Sequence, residues 1–434
     1  MTIWRLAVIA LVGEVAGVCA LHAAPAPDAP EEKPATILNW DDCVRIATKE
    51  NPDLQASREA VLNSDAVRMG AYSALYPQIT ATYNQSRSFH NANLYAPVLY
   101  SSVYNQQLTV SQLIFDGFAT KGNIDQARAQ LNLAFASLNA EKAAISFSLK
   151  LAFAQLIYSQ KLIKISRDVI EIRQSNARLV RLLYQGGSED RGNMELSDAN
   201  LDQALFNLDQ AVRNRDLSGV QLGVYIGRDL PAPVLAEGEL QTSVLPVKPN
   251  FSKLAVVTPV YFERKAQVDA AAAGITVANS AWYPTISASA NGFRSDEHLP
   301  IKNKGWSAGF SVSYPLFEGG ATYFNVKAAS ASLRQSLENL RSGTNDAALT
   351  LAQMFKGMVD AEDNVRIQKE LLDATSLRYK IAAADYRNGL MTFQDFNTIT
   401  NDFVGGQLSL LSAQFNAVAA EASWEEARGL GAIP

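Results

Sequence analysis

The 434-residue sequence predicts an internally duplicated α+β membrane protein, in which long α-helical hairpins carry four β-strands per chain. Three observations predict this class. One unit of sequence occurs twice, two proline-free stretches allow very long helices, and four short segments alternate apolar with small or polar residues. Four strands fit the wall of a barrel whose remaining strands come from other copies of the chain.

The duplication appears as two alignments at nearly constant offset. Residues 50–86 align with 257–293, and the stretch LIFDGFAT at 113–120 aligns with PLFEGGAT at 315–322. The segment between the two copies is rich in proline and reads as a connector. The sequence therefore divides into a first repeat at 37–225, a connecting segment at 226–254 and a second repeat at 255–430.

The N-terminus has the pattern of an export signal. Arg5 precedes the apolar stretch LAVIALVGEVAGVCALHAA, and the small residues at 18–20 suit signal-peptidase cleavage. We expect a signal peptide over about 1–20 and a proline-rich segment at 21–36. Lipid attachment at Cys19 is an alternative. Cys43, the other cysteine, has no partner for an internal disulfide and is expected to be a packing residue.

Composition argues against several function classes. The net charge of −5 provides no basic surface for nucleic acid. Beyond the N-terminus, no apolar run approaches the roughly 20 residues that a membrane helix needs. The sequence contains no HExxH motif, P-loop or dinucleotide fingerprint, so we expect no enzyme and no cofactor. His90 and His298 fall in the two hairpin loops; they could meet near a barrel mouth and bind a metal, but we expect exposed loop histidines and no metal site.

The positions of proline define where long helices can form. None occurs between Pro97 and Pro231, nor between Pro315 and Pro434, and a proline inside a helix costs about 3 kcal/mol. We predict one helix from about Phe118 to Tyr184, roughly 100 Å long at 1.5 Å per residue. The second repeat has its counterpart at 320–386. Each helix is followed by a glycine turn and a return helix, which ends near 225 or 427.

The predicted strands lie at about 77–90, 103–115, 284–294 and 305–317, as two isolated hairpins. In the last strand, large apolar residues alternate with Ser and Gly, which places them on one face. Strands of this length can cross a bilayer, with aromatic residues at the two interfaces. The expected lipid-facing residues are Leu108, Val110, Ile286, Trp306, Phe310, Val312 and Tyr314. A soluble sheet packed on a core would show the same alternation, but export and the helix length favour the membrane.

Barrel closure requires more than one chain. A sheet in hydrocarbon cannot keep open edges, because nothing there pairs their backbone groups. Four strands cannot close a barrel, since about eight are needed. The chain is therefore expected to assemble into a multiple of four strands, and a trimer would supply twelve.

The sequence resembles the TolC-like outer membrane efflux protein family over nearly the whole mature chain. The resemblance rests on the duplicated unit, a proline near each repeat start (NP at 51–52, with Pro259 at the matching position), YP before each hairpin, LFEGG after the second hairpin and YRNG at the helical turn. It implies a homotrimer with a twelve-stranded barrel in the lipid of the Gram-negative outer membrane and a helical tunnel in the periplasm. The implied role is the exit duct of a tripartite efflux or type I secretion system. The implied partners are a periplasmic adaptor (membrane fusion) protein and an inner-membrane pump of the RND or ABC type.

The resemblance also implies an acidic gate near the helical turns. Asp395 follows Gly389 by six residues, at the family's acidic position, while a capping box with Thr392 is the alternative interpretation. In the first copy we assume a turn two residues longer. Glu195 then takes the acidic position, with Asp198 on the same helical face. Ordinary solvated first-turn acids are the alternative.

The turns themselves are candidates for contact with the adaptor. The residues concerned are Gly187, Gly389 and Leu390, although a glycine helix cap explains the two glycines equally well. Tyr386 is retained from the network that latches the closed state in relatives. Met391 and Thr398 replace its usual basic and second acidic residues.

Two other functions stay open at this stage. One is a passive outer-membrane pore that works without a pump, and the other is a periplasmic coiled-coil scaffold with soluble hairpins. The sequence does not identify the transported substrate.

Overall fold

The computed structural model describes residues 36–90, 99–228, 234–243 and 246–434. The predicted signal peptide and nearly all of the proline-rich segment at 21–36 lie outside the described residues, as does the tip of the first hairpin. In the described part of the chain, no helix has the combination of length and apolar character needed to span a membrane.

The described elements follow one another in an order that occurs twice with small additions. They are β1 (Thr36–Leu38), α1 (Trp40–Glu50), α2 (Pro52–Ala71), a 3₁₀ turn (Tyr72–Leu75), β2 (Gln78–His90), β3 (Leu99–Phe115), α3 (Ala119–Gln185), α4 (Arg191–Tyr225), β4 (Val234–Ala236), α5 (Phe251–Ala255), α6 (Pro259–Ser280), β5 (Thr285–Asp296), β6 (Lys304–Ser313), α7 (Ala321–Arg387) and α8 (Phe393–Ala427).

The long helices agree with the prediction almost to the residue. Helices α3 and α7 contain 67 residues each, which corresponds to about 100 Å, and α4 and α8 contain 35 each. Asp116 starts α3 by accepting hydrogen bonds from the backbone and hydroxyl of Thr120 at 2.7 and 2.5 Å. Glu318 accepts from the Thr322 hydroxyl at 2.7 Å in the second repeat. A hydrogen bond from a threonine hydroxyl to a carboxylate four residues earlier therefore stabilises the start of both long helices.

Shorter helices pack end to end along α3. Helices α2 and α6 cover the half of α3 nearest the sheet, and α4 and α8 cover the other half. The α4–α2 junction is tight: the Asn51 side chain donates to the Tyr225 carbonyl at 2.9 Å. Gly227 adopts φ 86° there, and a Cβ on it would lie 2.3 Å from the Glu50 oxygen. This close approach lets two helices continue one another.

A mixed core surrounds the middle of the long helices. β1 and β4 form a parallel two-stranded strip over the fully buried Leu149, Leu156 and Leu222. Cys43 lies in the same core, where burial raises the pKa of its thiol to about 12. This is the environment of an inert packing residue.

The four long strands form one antiparallel sheet in the order β2-β3-β5-β6. The prediction of two isolated hairpins is therefore wrong, because β3 pairs with β5 and joins the hairpins. A bulge between Leu113 and Phe115 shifts this pairing by one residue near the helices. β3 begins earlier than predicted, at Leu99. β6 ends at Ser313 and not at 317, since Pro315 has no N–H to donate to a ladder.

Candidate functional site

One face of the sheet is apolar and exposed. The register places Val110 beside Ala290, Ala290 beside Ala308, and Ile286 beside Val312. Trp306 and Phe310 on this face are 82% and 80% exposed. The predicted residues on this face are Leu108, Val110, Ile286, Trp306, Phe310 and Val312. Tyr314 follows the end of β6, so the structure does not assign it to a strand face.

The opposite face is polar and uncharged along the described strands. It consists mainly of Ser, Thr, Asn, Gln and Gly side chains, from Gln78 to Ser88 in β2 and at the alternate positions of the other strands. The Gln107 amide donates to Asn291 across the β3–β5 pair at 3.4 Å. A face of this kind can line a water-filled lumen without holding a fixed charge.

Both edges of the sheet lack a partner within the described chain. β2 pairs only with β3, and β6 pairs only with β5. Unpaired backbone groups on an apolar sheet are costly in hydrocarbon, where no water satisfies them. The sheet therefore has the features of a barrel segment that needs neighbours on both sides.

At the far end of the long helices, two similar turns join α3 to α4 and α7 to α8. Gly187 and Gly389 adopt φ 76° and 73°. The Ser188 and Leu390 amides each donate to a carbonyl five residues earlier at 2.9 Å. Both turns are thus Schellman caps, which explains the glycines. Leu390 is nevertheless 77% exposed, so an apolar side chain stands at the tip of the second turn.

The two turns have equal length, which corrects the assumed insertion in the first copy. Five residues separate the helices in both repeats. Asp395 therefore corresponds to Asn193, and the N-cap Thr392 corresponds to Asp190. The prediction that Glu195 takes the position of Asp395 is wrong, because the N-cap Asp190 fixes where α4 begins.

The helix starts are capped in complementary ways. Thr392 accepts from the Asp395 backbone N–H at 3.2 Å, and its hydroxyl donates to the Asp395 carboxylate at 2.7 Å. In the first copy the carboxylate of Asp190 accepts from the Asn193 N–H at 2.9 Å. The capping interpretation of Asp395 is confirmed, and its carboxylate remains exposed.

The two acids predicted in the first copy are both paired with arginines of the same chain. Exposed Glu195 lies 3.4 Å from Arg191 on its own helix. Asp198 accepts from Arg181 of α3 at 2.7 Å. Because each negative charge has a local counter-ion, neither is poised to act alone.

Tyr386 connects the two repeats at this end. Its hydroxyl donates to the Glu189 carboxylate at 2.8 Å, and its ring stacks on Phe396 with centroids 4.7 Å apart. The residue is 2% exposed. Burial and the Glu189 carboxylate raise the pKa of the phenol, so it stays a neutral donor. Glu189 was not predicted from the sequence, although it is an acidic residue inside the first turn.

A second cross-repeat contact lies deeper between the helices. Arg173 of α3 is 8% exposed and donates to the side-chain oxygens of Asn401 at 2.6 Å and Asn397 at 3.4 Å. Burial lowers the pKa of its guanidinium, which donates to neutral amides and not to a carboxylate. Sequence reasoning also missed this residue. The feature of the sequence that could have revealed Arg173 is a cation on the apolar, buried face of α3, between Ile170 and Ala177.

Sequence comparison identifies relatives over most of the chain. A profile described as "Outer membrane efflux protein" matches residues 44–228 and 263–429. The chain is 23% identical over 393 residues to the outer membrane efflux protein BepC of Brucella suis, covering 88% of this chain and 83% of the relative. It is 22% identical over 403 residues to the toluene efflux pump outer membrane protein TtgC of Pseudomonas putida, covering 89% and 82%.

Solved structures share the fold at low identity. The chain superposes on CusC with a TM-score of 0.80 at 18% identity, covering 90% of this chain and 92% of that chain. The open-state MtrE channel of Neisseria gonorrhoeae gives 0.77 at 18% identity, covering 90% and 88%. The profile match spans both repeats and most of the sequence. The chain therefore belongs to the outer membrane efflux protein family.

Proposed function

We propose that this chain is the outer-membrane exit duct of a tripartite efflux or type I secretion system. It would pass substrates from an inner-membrane pump through a periplasmic tunnel to the outside. The observation that carries this proposal is the sheet: one face is apolar and exposed, the other is polar and uncharged, and helices of about 100 Å extend from one end. Family membership supports an outer-membrane location with extension into the periplasm and argues against the scaffold alternative.

The functional unit in this proposal is a homotrimer. β2 and β6 are open edges, and adding two further copies completes a barrel of about twelve strands without leaving an edge in lipid. The same assembly would place the uncharged polar face around a common lumen. Twelve strands exceed the eight at which side chains fill the interior, so a channel can remain open.

The helical turns are the proposed contact with a periplasmic adaptor. Gly187, Gly389 and Leu390 lie at the exposed tips, farthest from the sheet along the helices. The exposed side chain of Leu390 would anchor the turn in an apolar pocket of the adaptor. TtgC is named as part of a toluene efflux pump, which supports an inner-membrane pump as the third component. Both an RND and an ABC pump fit this arrangement.

The proposed gate combines exposed acids with a cross-repeat latch. Around a threefold axis, Asp395 of each second repeat would face its copies, and Asp190 supplies the corresponding carboxylate of the first repeat. Glu195 and Asp198 lie farther along α4, where each is paired with an arginine of the same chain. Tyr386 and Glu189 join the two turns within a chain. Opening the tunnel would then require this hydrogen bond to break.

Reconstitution tests the proposal directly. The protein extracted in mild detergent is expected to have the mass of a trimer by light scattering, and to conduct ions in planar bilayers. A monomer that inserts and conducts by itself would contradict it. Export from cells that lack the gene distinguishes an exit duct from a passive pore. For a duct, deleting this gene and deleting the pump gene should cause the same loss of export. For a passive pore, the effect of deleting this gene should not depend on any pump.

A further inference from the structure

Two basic side chains lie directly opposite each other at the outer end of the apolar face. Arg294 of β5 pairs with Lys304 of β6, in the row next to Gly292 and Trp306. Both side chains are exposed and project on the same side as Trp306. Within the described chain, no carboxylate lies within ion-pair distance of either.

This arrangement is unfavourable for the isolated sheet. Residues opposite each other in an antiparallel pair have Cα atoms about 4.5–5.5 Å apart, and like charges there are destabilising. Asp296 is two residues from Arg294, yet its carboxylate closes the hairpin loop. It accepts the backbone N–H groups of Glu297 at 2.8 Å and Lys302 at 3.1 Å. Asp296 therefore serves the loop, and an anion that relieves the repulsion of the basic pair would have to come from outside the described chain.

The depth of the pair indicates which anion it meets. Trp306 is the aromatic residue of β6 nearest the end of the strand that points away from the helices. Aromatic residues of a membrane barrel lie at the boundaries of its apolar band. Lys304 lies one row beyond Trp306, on the side away from the helices. In the proposed barrel this level is that of the outer-leaflet headgroups.

We propose that Arg294 and Lys304 bind phosphate groups of an anionic lipid in the outer leaflet, which in a Gram-negative outer membrane is lipopolysaccharide. The proposal rests on the barrel orientation given above. A phosphate between the two side chains removes their repulsion, and the Arg294 guanidinium can hold it with two parallel hydrogen bonds. Trp306, one row nearer the membrane centre, then lies at the level where the acyl chains begin.

The test measures lipid binding by the full-length assembly. Delipidated protein in detergent is titrated with lipopolysaccharide, with dephosphorylated lipopolysaccharide and with inorganic phosphate, in a chelator so that divalent ions form no bridges. We expect saturable binding of intact lipopolysaccharide alone. The variant Arg294→Gln with Lys304→Gln should bind it about thirtyfold more weakly, from about fivefold for each charge removed near an anionic surface.

Two variants control the experiment. Arg294→Lys with Lys304→Arg keeps both charges and should retain binding, and Lys327→Gln with Arg334→Gln removes two exposed charges from α7 and should change nothing. Equal binding by the Gln double variant and the wild type would overturn the proposal, and so would equal binding of dephosphorylated lipid. Displacement by inorganic phosphate at matched concentration would show a site for the free anion and also overturn it. The conductance of each variant is also measured in planar bilayers. A variant that conducts like the wild type has formed its barrel, so its weaker lipid binding reports loss of this site.

Discussion

Replacing Tyr386 by Phe removes one hydroxyl and keeps the aromatic ring that stacks on Phe396. The hydroxyl is the donor that joins the end of α7 to Glu189 in the first turn, at 2.8 Å. The other Glu189 oxygen keeps its bond from the Asn193 amide at 2.7 Å. The substitution therefore tests the link between the repeats with little disturbance of packing.

The size of the effect follows from the chemistry of the bond. A hydrogen bond to a charged acceptor contributes about 1.5–3 kcal/mol, and the lower end applies because Glu189 is only half-buried and retains a second donor. A loss of about 1.5 kcal/mol shifts the ratio of separated to joined turns about tenfold in each chain. If the three chains of a trimer open together, the shifts add to about 4.5 kcal/mol.

Single-channel recording in planar bilayers measures this shift as a higher open fraction of the Tyr386→Phe channel. Tyr184→Phe is the matched control, since Tyr184 holds the equivalent position of the first repeat and its hydroxyl has no hydrogen-bond partner among the described residues. Glu189→Gln keeps an acceptor and should give an intermediate open fraction. An unchanged open fraction in Tyr386→Phe would show that this bond does not hold the tunnel closed.

Three further perturbations test separate parts of the molecule. Phe310→Asp should reduce heat-modifiable trimer in outer membranes, since a charge at the lipid face costs on the order of 2 kcal/mol, whereas Ser311→Asp on the polar face should assemble normally. Asp395→Asn should keep thermal stability, because Thr392 still caps the helix and the Asn side-chain oxygen can still accept from the Thr392 hydroxyl. It should weaken block by divalent cations added from the periplasmic side; unchanged block would leave Asp395 as part of the capping box only. Glu421→Gln should lower the unfolding temperature at neutral pH. The difference in unfolding temperature between variant and wild type should shrink as the pH falls through the lowered pKa of Glu421. A difference that stays the same at all pH values would refute that linkage.

The pH prediction for Glu421 follows from its contacts. Burial opposes its ionised form, but hydrogen bonds from Ser243 and the charge of Lys150 outweigh burial and lower the pKa from its ordinary value of 4.5. Lys150 lies 3.1 Å from this carboxylate. A pKa lowered by folding stabilises the native state above the unfolded value, and this contribution is lost as the pH falls through the folded one. The contact fixes the inter-repeat connector to α8.

The sequence predicted the long elements well because their signals are local. Absence of proline and a dense apolar stripe identified α3 and α7 within one residue at each end. Alternation identified both faces of β6. The β3–β5 pairing was missed because strand order depends on contacts between residues some 180 positions apart, and no local pattern encodes it.

The candidate gate was predicted less well, since its residues are defined by neighbours in space. Glu189 is one acid among several in its turn, and only the fold shows that it accepts from Tyr386. The register of the first turn failed for a different reason. Aligning Glu195 with Asp395 required an insertion in the first turn. The structure shows none, because each helix starts at its N-cap residue, Asp190 or Thr392. The carboxylate lies at the third helical position in the second copy and at the N-cap in the first.

The two copies place the carboxylate at different positions of the helix start, and both positions are compatible with the proposed gate. In the second copy the hydroxyl of Thr392 caps and Asp395 carries the charge, while in the first copy Asp190 caps and Asn193 is neutral. Both turns therefore present one carboxylate at the helix start, where the helix dipole favours it. The latch is not duplicated: Glu189 corresponds to Met391, and buried Tyr386 corresponds to exposed Tyr184. The Tyr386–Glu189 bond joins unlike partners at the tip, while the contacts of Arg173 with Asn397 and Asn401 lie deeper between the helices. We therefore expect the two turns to separate first at the Tyr386–Glu189 bond.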